Sequence, residues 1–304
     1  EPIRKPSWHE KSGPSLSWYF TGTQTQGGPA MDGQRSFDDY RMPDELWEQM
    51  EELLPDYPAS PKGGRPRANL RGVADAIFYR LRTGCQWNAI PPELAPGSTA
   101  HDYFQQWAEL GIFDQLWSLA VEIYDELIGL DREWQSVDGA MTKAPLGGED
   151  TGKNPTDRGK LGTKRSLQTD GGGVPIGLAV AGANVHDTKL LQQTIEDSIE
   201  RAVSEVNEEE HLCLDKAYDS AAIRDMIVSL YQYTAHVRSR GEEKRELDRT
   251  SGERPRRWVV ERTHGWLNRF RAILIRWDKK TQNHLAGLHI ALAYFVYSRI
   301  GVLG

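Results

Sequence analysis

A mixed α/β fold behind an all-helical N-terminal module is predicted by three features of the chain. The hydrophobic period changes from helical to alternating near residue 130. Three predicted strands are then followed by helix, strand, helix, strand and further helices, and a glycine-rich turn, Asp170-Gly171-Gly172-Gly173, joins two of the strands. With 304 residues the chain has length for one large or two modest domains, and two are expected, over 41–130 and 131–304.

Residues 1–40 are rich in Gly, Ser, Thr, Pro and Gln without a sustained period, and they read as an extended or disordered arm. From Pro43 the period is helical: Leu46, Trp47, Met50, Leu53 and Leu54 share a side, and Pro55 stops the run. The basic linker Lys62-Gly63-Gly64-Arg65-Pro66-Arg67 leads to a second helix over 70–82, with Val73, Ile77, Phe78 and Leu81 on its apolar side and Gly84 as its stop. Ser98 or Thr99 is expected to cap a third helix over 100–110, and 113–128 reads as a connecting helix. Short helices with tight turns predict a helix-turn-helix-like unit that enters a DNA groove. A plain helical core module shares that pattern, and the third helix carries Asp102, Gln105, Gln106 and Glu109 where arginine would serve phosphate better.

Alternation predicts strands over 134–143, 164–169 and 174–181. A helix from Thr188 to about Val203, capped by Asp187 or Thr188, comes next. A strand over 211–215, a helix over 220–230 and a strand over 233–237 follow, then a hydrophilic loop over 239–255. Helices over 256–277 and 285–300 close the chain. The last is the most apolar stretch, yet it carries His289 and Arg299 and is short for a membrane span, so a buried helix is expected.

The net charge of −7 is unusual for a protein that binds phosphate, but the charge is segregated. Between Arg254 and Arg276 stand seven arginines and one acid, Glu261, while 44–56 and 205–210 are acidic. Cys85 and Cys213 are far apart and show no metal-ligand spacing, which excludes a zinc site or disulfide framework and fits a reducing cytosol. No charged-then-apolar leader opens the chain, so a cytoplasmic protein is expected.

Three carboxylates stand out. Asp138 follows Trp134-Gln135-Ser136-Val137 and precedes Gly139-Ala140, small residues that leave room beside it. Asp215 ends His211-Leu212-Cys213-Leu214, and Glu261 lies within Arg256-Arg257-Trp258-Val259-Val260-Glu261-Arg262. Carboxylate oxygens from separate elements suit hard divalent cations in phosphodiester chemistry. Taken singly, each has an ordinary structural explanation: a strand-end Asp, a helix-flanking Asp with Asp219 as its rival, and an Arg257–Glu261 surface pair.

Four stretches carry a resemblance: Asn154-Pro155-Thr156-Asp157-Arg158-Gly159-Lys160, Ala183-Asn184-Val185-His186-Asp187, Leu214-Asp215-Lys216-Ala217-Tyr218-Asp219-Ser220 and Arg257-Trp258-Val259-Val260-Glu261-Arg262-Thr263. In this order they resemble the DDE transposases of bacterial insertion sequences, and more narrowly the insertion sequence 5 family. Tyr40-Arg41-Met42-Pro43-Asp44-Glu45-Leu46-Trp47 and Gly84-Cys85-Gln86-Trp87 extend the likeness to roughly 37–300. The resemblance implies a ribonuclease-H-like catalytic domain in which Asp138, Asp215 and Glu261 hold two Mg²⁺ ions, with Mn²⁺ able to substitute. It implies cleavage of double-stranded DNA at transposon terminal repeats, and joining of the freed 3′-OH to target DNA by a homodimer or larger assembly without a membrane. A non-catalytic DNA-binding derivative and a nuclease that cuts without joining are the alternatives. The family's C-terminal signature matches at Arg257 and Glu261 but departs at Arg254 and Asn268, where Tyr and Lys are usual.

For a DNA substrate the expected contacts are Lys62, Arg65 and Arg67 on the linker, then Arg158, Lys160, Lys164 and Arg165 beside Asp138. Arg257, Arg262 and Arg269 accompany Glu261. Trp266 is expected in the core rather than stacked on a base, and His186 as a structural histidine.

Overall fold

The computed structural model describes residues 37–58, 67–198, 210–237 and 258–301. The N-terminal arm to residue 36, Lys62 and Arg65 of the linker, the end of the helix expected to reach Val203, the loop 239–255 and Arg257 lie outside the described residues.

Four helices, α1 (Asp44–Leu53), α2 (Leu70–Thr83), α3 (Gly97–Glu109) and α4 (Ile112–Leu127), form the N-terminal segment. Helix α1 starts after Pro43 with Asp44 and Glu45 in its first turn, where carboxylates suit the exposed amides, and buries Leu46, Trp47 and Met50. Asn69 caps α2 by accepting from the Arg71 amide, and Gly84 ends it at φ 71°, a conformation that favours glycine. Helix α3 begins at Gly97, before the expected Ser98 or Thr99 cap, and makes no side-chain cap. Packing sets this start, because a Cβ on Gly97 would lie 1.8 Å from the Trp87 carbonyl oxygen in the preceding turn.

Among the described residues six strands form one sheet: β1 (Trp134–Lys143), β2 (Gly152–Lys153), β3 (Leu161–Thr169), β4 (Pro175–Gly182), β5 (His211–Leu214) and β6 (Thr234–Val237). Strand β3 pairs antiparallel with β1 on one side and with β4 and the short β2 on the other; β1 pairs parallel with β5, and β5 parallel with β6. This mixed order is that of a ribonuclease-H-like domain. Helices α5 (Asp187–Glu196) and α6 (Ala221–Tyr231) cover one face over a core of Val137, Leu191, Ile195, Leu212, Leu214, Tyr218 and Ile227. Helix α6 is capped by Ser220, which accepts from the Ile223 amide.

The other face is covered by α7 (Trp258–Leu267), α8 (Arg271–Leu274) and α9 (Thr281–Arg299). Helix α9 is buried around most of its circumference, and its Leu288, Ile290, Ala291, Leu292 and Val296 are fully enclosed. It lies in one continuous core with residues of α1 to α4 and with Leu167, Ile176 and Leu178 of the sheet. The described residues from Phe37 onward accordingly form one compact unit, in which the expected segments before and after residue 130 share a core. Among the described residues no helix is long and apolar enough to cross a membrane.

The single helix expected over 256–277 is broken. It stops at Leu267, turns at the buried Phe270, and leaves helical geometry after Leu274 so that Ile275 bridges to Lys143 and the Arg276 amide donates to the Lys143 carbonyl, 2.8 Å. Wholly buried Arg276 then donates to the Asp278 and Asp150 carbonyls and to the Thr163 and Thr281 hydroxyls. Satisfying that guanidinium outweighs the helical pattern, and it pins the chain after α8 to the end of β1.

Candidate active site

Strand register brings the two aspartates together. Along the parallel ladder Ser136 stands opposite Cys213, and two residues further on each strand come Asp138 and Asp215. The ladder ends at that pair, so the two strands part where the carboxylates begin. Val137, Leu212 and Leu214 point into the core beneath α5 and α6. By alternation Asp138 and Asp215 face the opposite side, towards α7. Asp215 keeps an extended backbone, φ −72° and ψ 159°. Its rival Asp219 is an exposed partner of Arg224, at 2.8 Å.

Glu261 lies in the first turn of α7. His264, one turn later on α7, lies with Nε2 3.2 Å from the Asp138 carbonyl oxygen. The Arg165 Nε donates to His264 Nδ1 at 3.2 Å, and Arg165 Nη2 donates to Asn268 Oδ1 at 2.8 Å. Asn268, which replaces the family's usual Lys, is therefore a partner for Arg165. Burial, and then the Arg165 charge, push the His264 pKa down to about 3; burial, and then Arg276 and Arg165, do the same to His284. Both are buried as neutral rings, so unfolding takes up protons below the ordinary value of 6.5. Stability should be fully held above pH 6.5 and lost progressively down to about pH 3. Urea midpoints at neutral pH and at mildly acidic pH check this, and an unchanged midpoint would count against neutral burial.

A third aspartate gathers on the opposite face of β1. Asp187 is ion-paired to the buried Lys164, 2.9 Å, and Lys164 also donates to the Val185 carbonyl at 2.8 Å. A Cβ on Gly139 would lie 2.6 Å from Asp187 Oδ1, so the room left by the small residues after Asp138 is occupied by this carboxylate. The cap of α5 is His186, whose Nδ1 accepts from the Thr188 amide; the expected caps, Asp187 and Thr188, lie inside the first turn. The Tyr218 hydroxyl is buried without a hydrogen-bond partner. Burial, and then the charges of Asp187, Asp138 and Asp215, raise its pKa. Sequence reasoning passed over Asp187 because its position after Val185-His186 is that of a helix cap. Its only sequence signal is its place in one of the four family-like stretches.

The expected DNA contacts divide by burial. Arg67, Arg158, Lys160 and Arg269 are exposed. Lys164 and Arg165 are 4% and 2% exposed and are spent on Asp187, His264 and Asn268, which withdraws their charges from a surface phosphate. Arg262 is half-buried and donates to the Gly172 carbonyl at 2.8 Å. Lys62, Arg65 and Arg257 lie outside the described residues. Trp266 is 42% exposed rather than in the core, and Arg269 stacks 3.6 Å from its ring centre.

Among the described residues no three His, Cys, Asp or Glu side chains are grouped as a ready-made metal cluster. The fit to a cation therefore rests on donor chemistry. Asp138, Asp215 and Glu261 offer only carboxylate oxygen, the donor set preferred by Mg²⁺ and Mn²⁺.

Residues 42–117 match a family model described as "Putative transposase of IS4/5 family", and residues 131–296 match a transposase DDE domain. The chain is 33% identical over 158 residues to "Putative transposase for insertion sequence element IS402" of Burkholderia cepacia, covering 49% of this chain and 70% of that protein. It is 30% identical over 118 residues to the "Insertion element IS402 uncharacterized 16.2 kDa protein" of the same organism, covering 37% and 79%. The crystal structure of the catalytic domain of Mos1 mariner transposase aligns at 9% identity and a TM-score of 0.26, over 53% of this chain and 91% of that one, a likeness too slight to carry an argument. The DDE domain match spans more than half of the sequence and the IS402 relative is covered over more than two thirds of its length, so this chain belongs to the DDE transposases of insertion sequences.

Proposed function

We propose that this transposase cuts a phosphodiester bond at each transposon end and joins the freed 3′-OH directly to target DNA at one carboxylate site. The observation that carries the reading is the strand register that sets Asp138 beside Asp215 on the face turned to the Glu261 helix. Divalent ions, when bound, supply activation of the attacking oxygen and stabilisation of the leaving one. Asp138, Asp215 and Glu261 would hold them.

The parting of β1 from β5 leaves the aspartates just beyond the end of the parallel ladder, where a phosphate can approach. The segment 144–160, which joins β1 to β3, folds back on the end of β1 through Lys143–Asp157, 3.5 Å, and exposes Arg158 and Lys160. These two, with Arg67 and Arg269, are the cations able to take DNA phosphates. The helices over 41–130 serve as the DNA-binding module, and two chains act together because two ends must be paired.

The test is incubation of the protein with Mg²⁺ and either intact end-bearing DNA or a precleaved end with a free 3′-OH. Cleavage followed by joining of the precleaved end to plasmid is expected. Cleavage without joining would mark a nuclease, and binding with neither would mark a DNA-binding derivative.

A further inference from the structure

The geometry assigns His264 as the positioning residue that holds Asp138 in place relative to the helix bearing Glu261. The inference rests on the proposed reading of these carboxylates as the reaction centre. Arginine can only donate, so Arg165 Nε obliges His264 Nδ1 to accept at 3.2 Å. The proton must then sit on Nε2, which donates to the Asp138 carbonyl at 3.2 Å. One tautomer is thus fixed by its neighbours, and the recipient is the backbone of a proposed ligand.

That contact is made where β1 has lost a strand neighbour. Parallel pairing with β5 ends at Ser136, and Asp138 lies beyond it. On its other side β1 still pairs with β3, and Arg165 stands opposite Ala140 in that ladder, on the same face as Asp138. Arg165 holds this end of α7 twice, at His264 and at Asn268 just past its last residue. Glu261 stands one turn before His264, so the same helical side that meets β1 also presents the glutamate. A displacement of His264 therefore shifts Asp138 and Glu261 relative to each other.

The arrangement is costly as plain packing. Arg165 and His264 are 2% and 6% exposed, and Arg165 Nη1 has no hydrogen-bond partner. An apolar pair would fill this space with less desolvation. It could not bond to the Asp138 carbonyl. Outer partners of this kind are general at metal sites, where they orient the ligands that touch the ion.

The experiment measures Mn²⁺ affinity by electron paramagnetic resonance on the full chain, together with melting temperature and end-DNA affinity. His264→Leu keeps the volume and loses both hydrogen bonds, whereas His264→Gln retains a donor and an acceptor. Mn²⁺ affinity is expected to fall about tenfold or more in His264→Leu, with end-DNA affinity unchanged, and to recover largely in His264→Gln. Equal Mn²⁺ affinity in the parent and His264→Leu overturns the assignment, as does a folded His264→Gln that binds as weakly as the Leu variant. Should His264→Leu fail to fold, Asn268→Ala releases one of the two grips, and a smaller loss in the same direction is expected; no loss overturns the assignment. Asp138→Ala separates the two readings. If it leaves Mn²⁺ binding intact, the carboxylate reading falls and the positioning role with it; if it abolishes binding while His264→Leu does not, only the positioning role falls.

Discussion

Alanine at Asp138 or at Asp215 is expected to abolish cleavage of transposon-end DNA while leaving the fold and DNA binding intact. Each substitution removes a carboxylate from the pair that the β1–β5 register sets side by side. Charge stabilisation of a phosphoryl transition state is worth several kcal/mol, so a loss of about a thousandfold or more follows from one missing ligand. Neither side chain belongs to the apolar cores, which keeps the expected stability change small. Single-turnover cleavage, with binding measured on the same DNA in Ca²⁺, separates chemistry from affinity. A variant that cleaved at the parental rate would remove that aspartate from the site.

Alanine at Asp187 is expected to act chiefly on stability. It would leave the Lys164 ammonium buried, its side chain 5% exposed, with the Val185 carbonyl as its remaining acceptor. Removing one member of a buried pair costs about 3 to 5 kcal/mol, and the lower end applies because Asp187 itself is 27% exposed. Gly139→Ala should disturb the same contact by a different route, since its Cβ would fall 2.6 Å from Asp187 Oδ1. Urea unfolding of both variants tests the idea, and a loss below about 1 kcal/mol in Asp187→Ala, the range of a surface pair, would show that the pair is worth no more than an exposed one.

Much of the architecture was legible from local pattern. Pro43 and Gly84 mark helix ends through backbone chemistry that operates within a few residues, and the alternation of 134–143 is the period of a half-buried strand. The errors fall where distant contacts override local preference. Gly97 starts α3 early because the Trp87 carbonyl leaves no space for a Cβ. The expected helix over 256–277 breaks because Arg276 finds acceptors on β3, on the segment before it and at the start of α9, beside the nearby Asp278 carbonyl. Trp266 follows a helical period that suits a core, yet the side of α7 it occupies faces outward.

The site divides in the same way. The sequence by itself determined the identities and order of Asp138, Asp215 and Glu261, the family-like stretches around them and the concentration of arginine near the last, since these are properties of residue type and spacing. Only the tertiary structure decided which charges face solvent. It buried Lys164 and Arg165 against Asp187 and His264 and left Arg158, Lys160 and Arg269 outside. It also brought Asp187 and His264 to opposite faces of β1 next to Asp138. The physical reason is that a side chain's solvation and hydrogen-bond partners come from elements far away in sequence, whereas helix and strand period is set by its immediate neighbours.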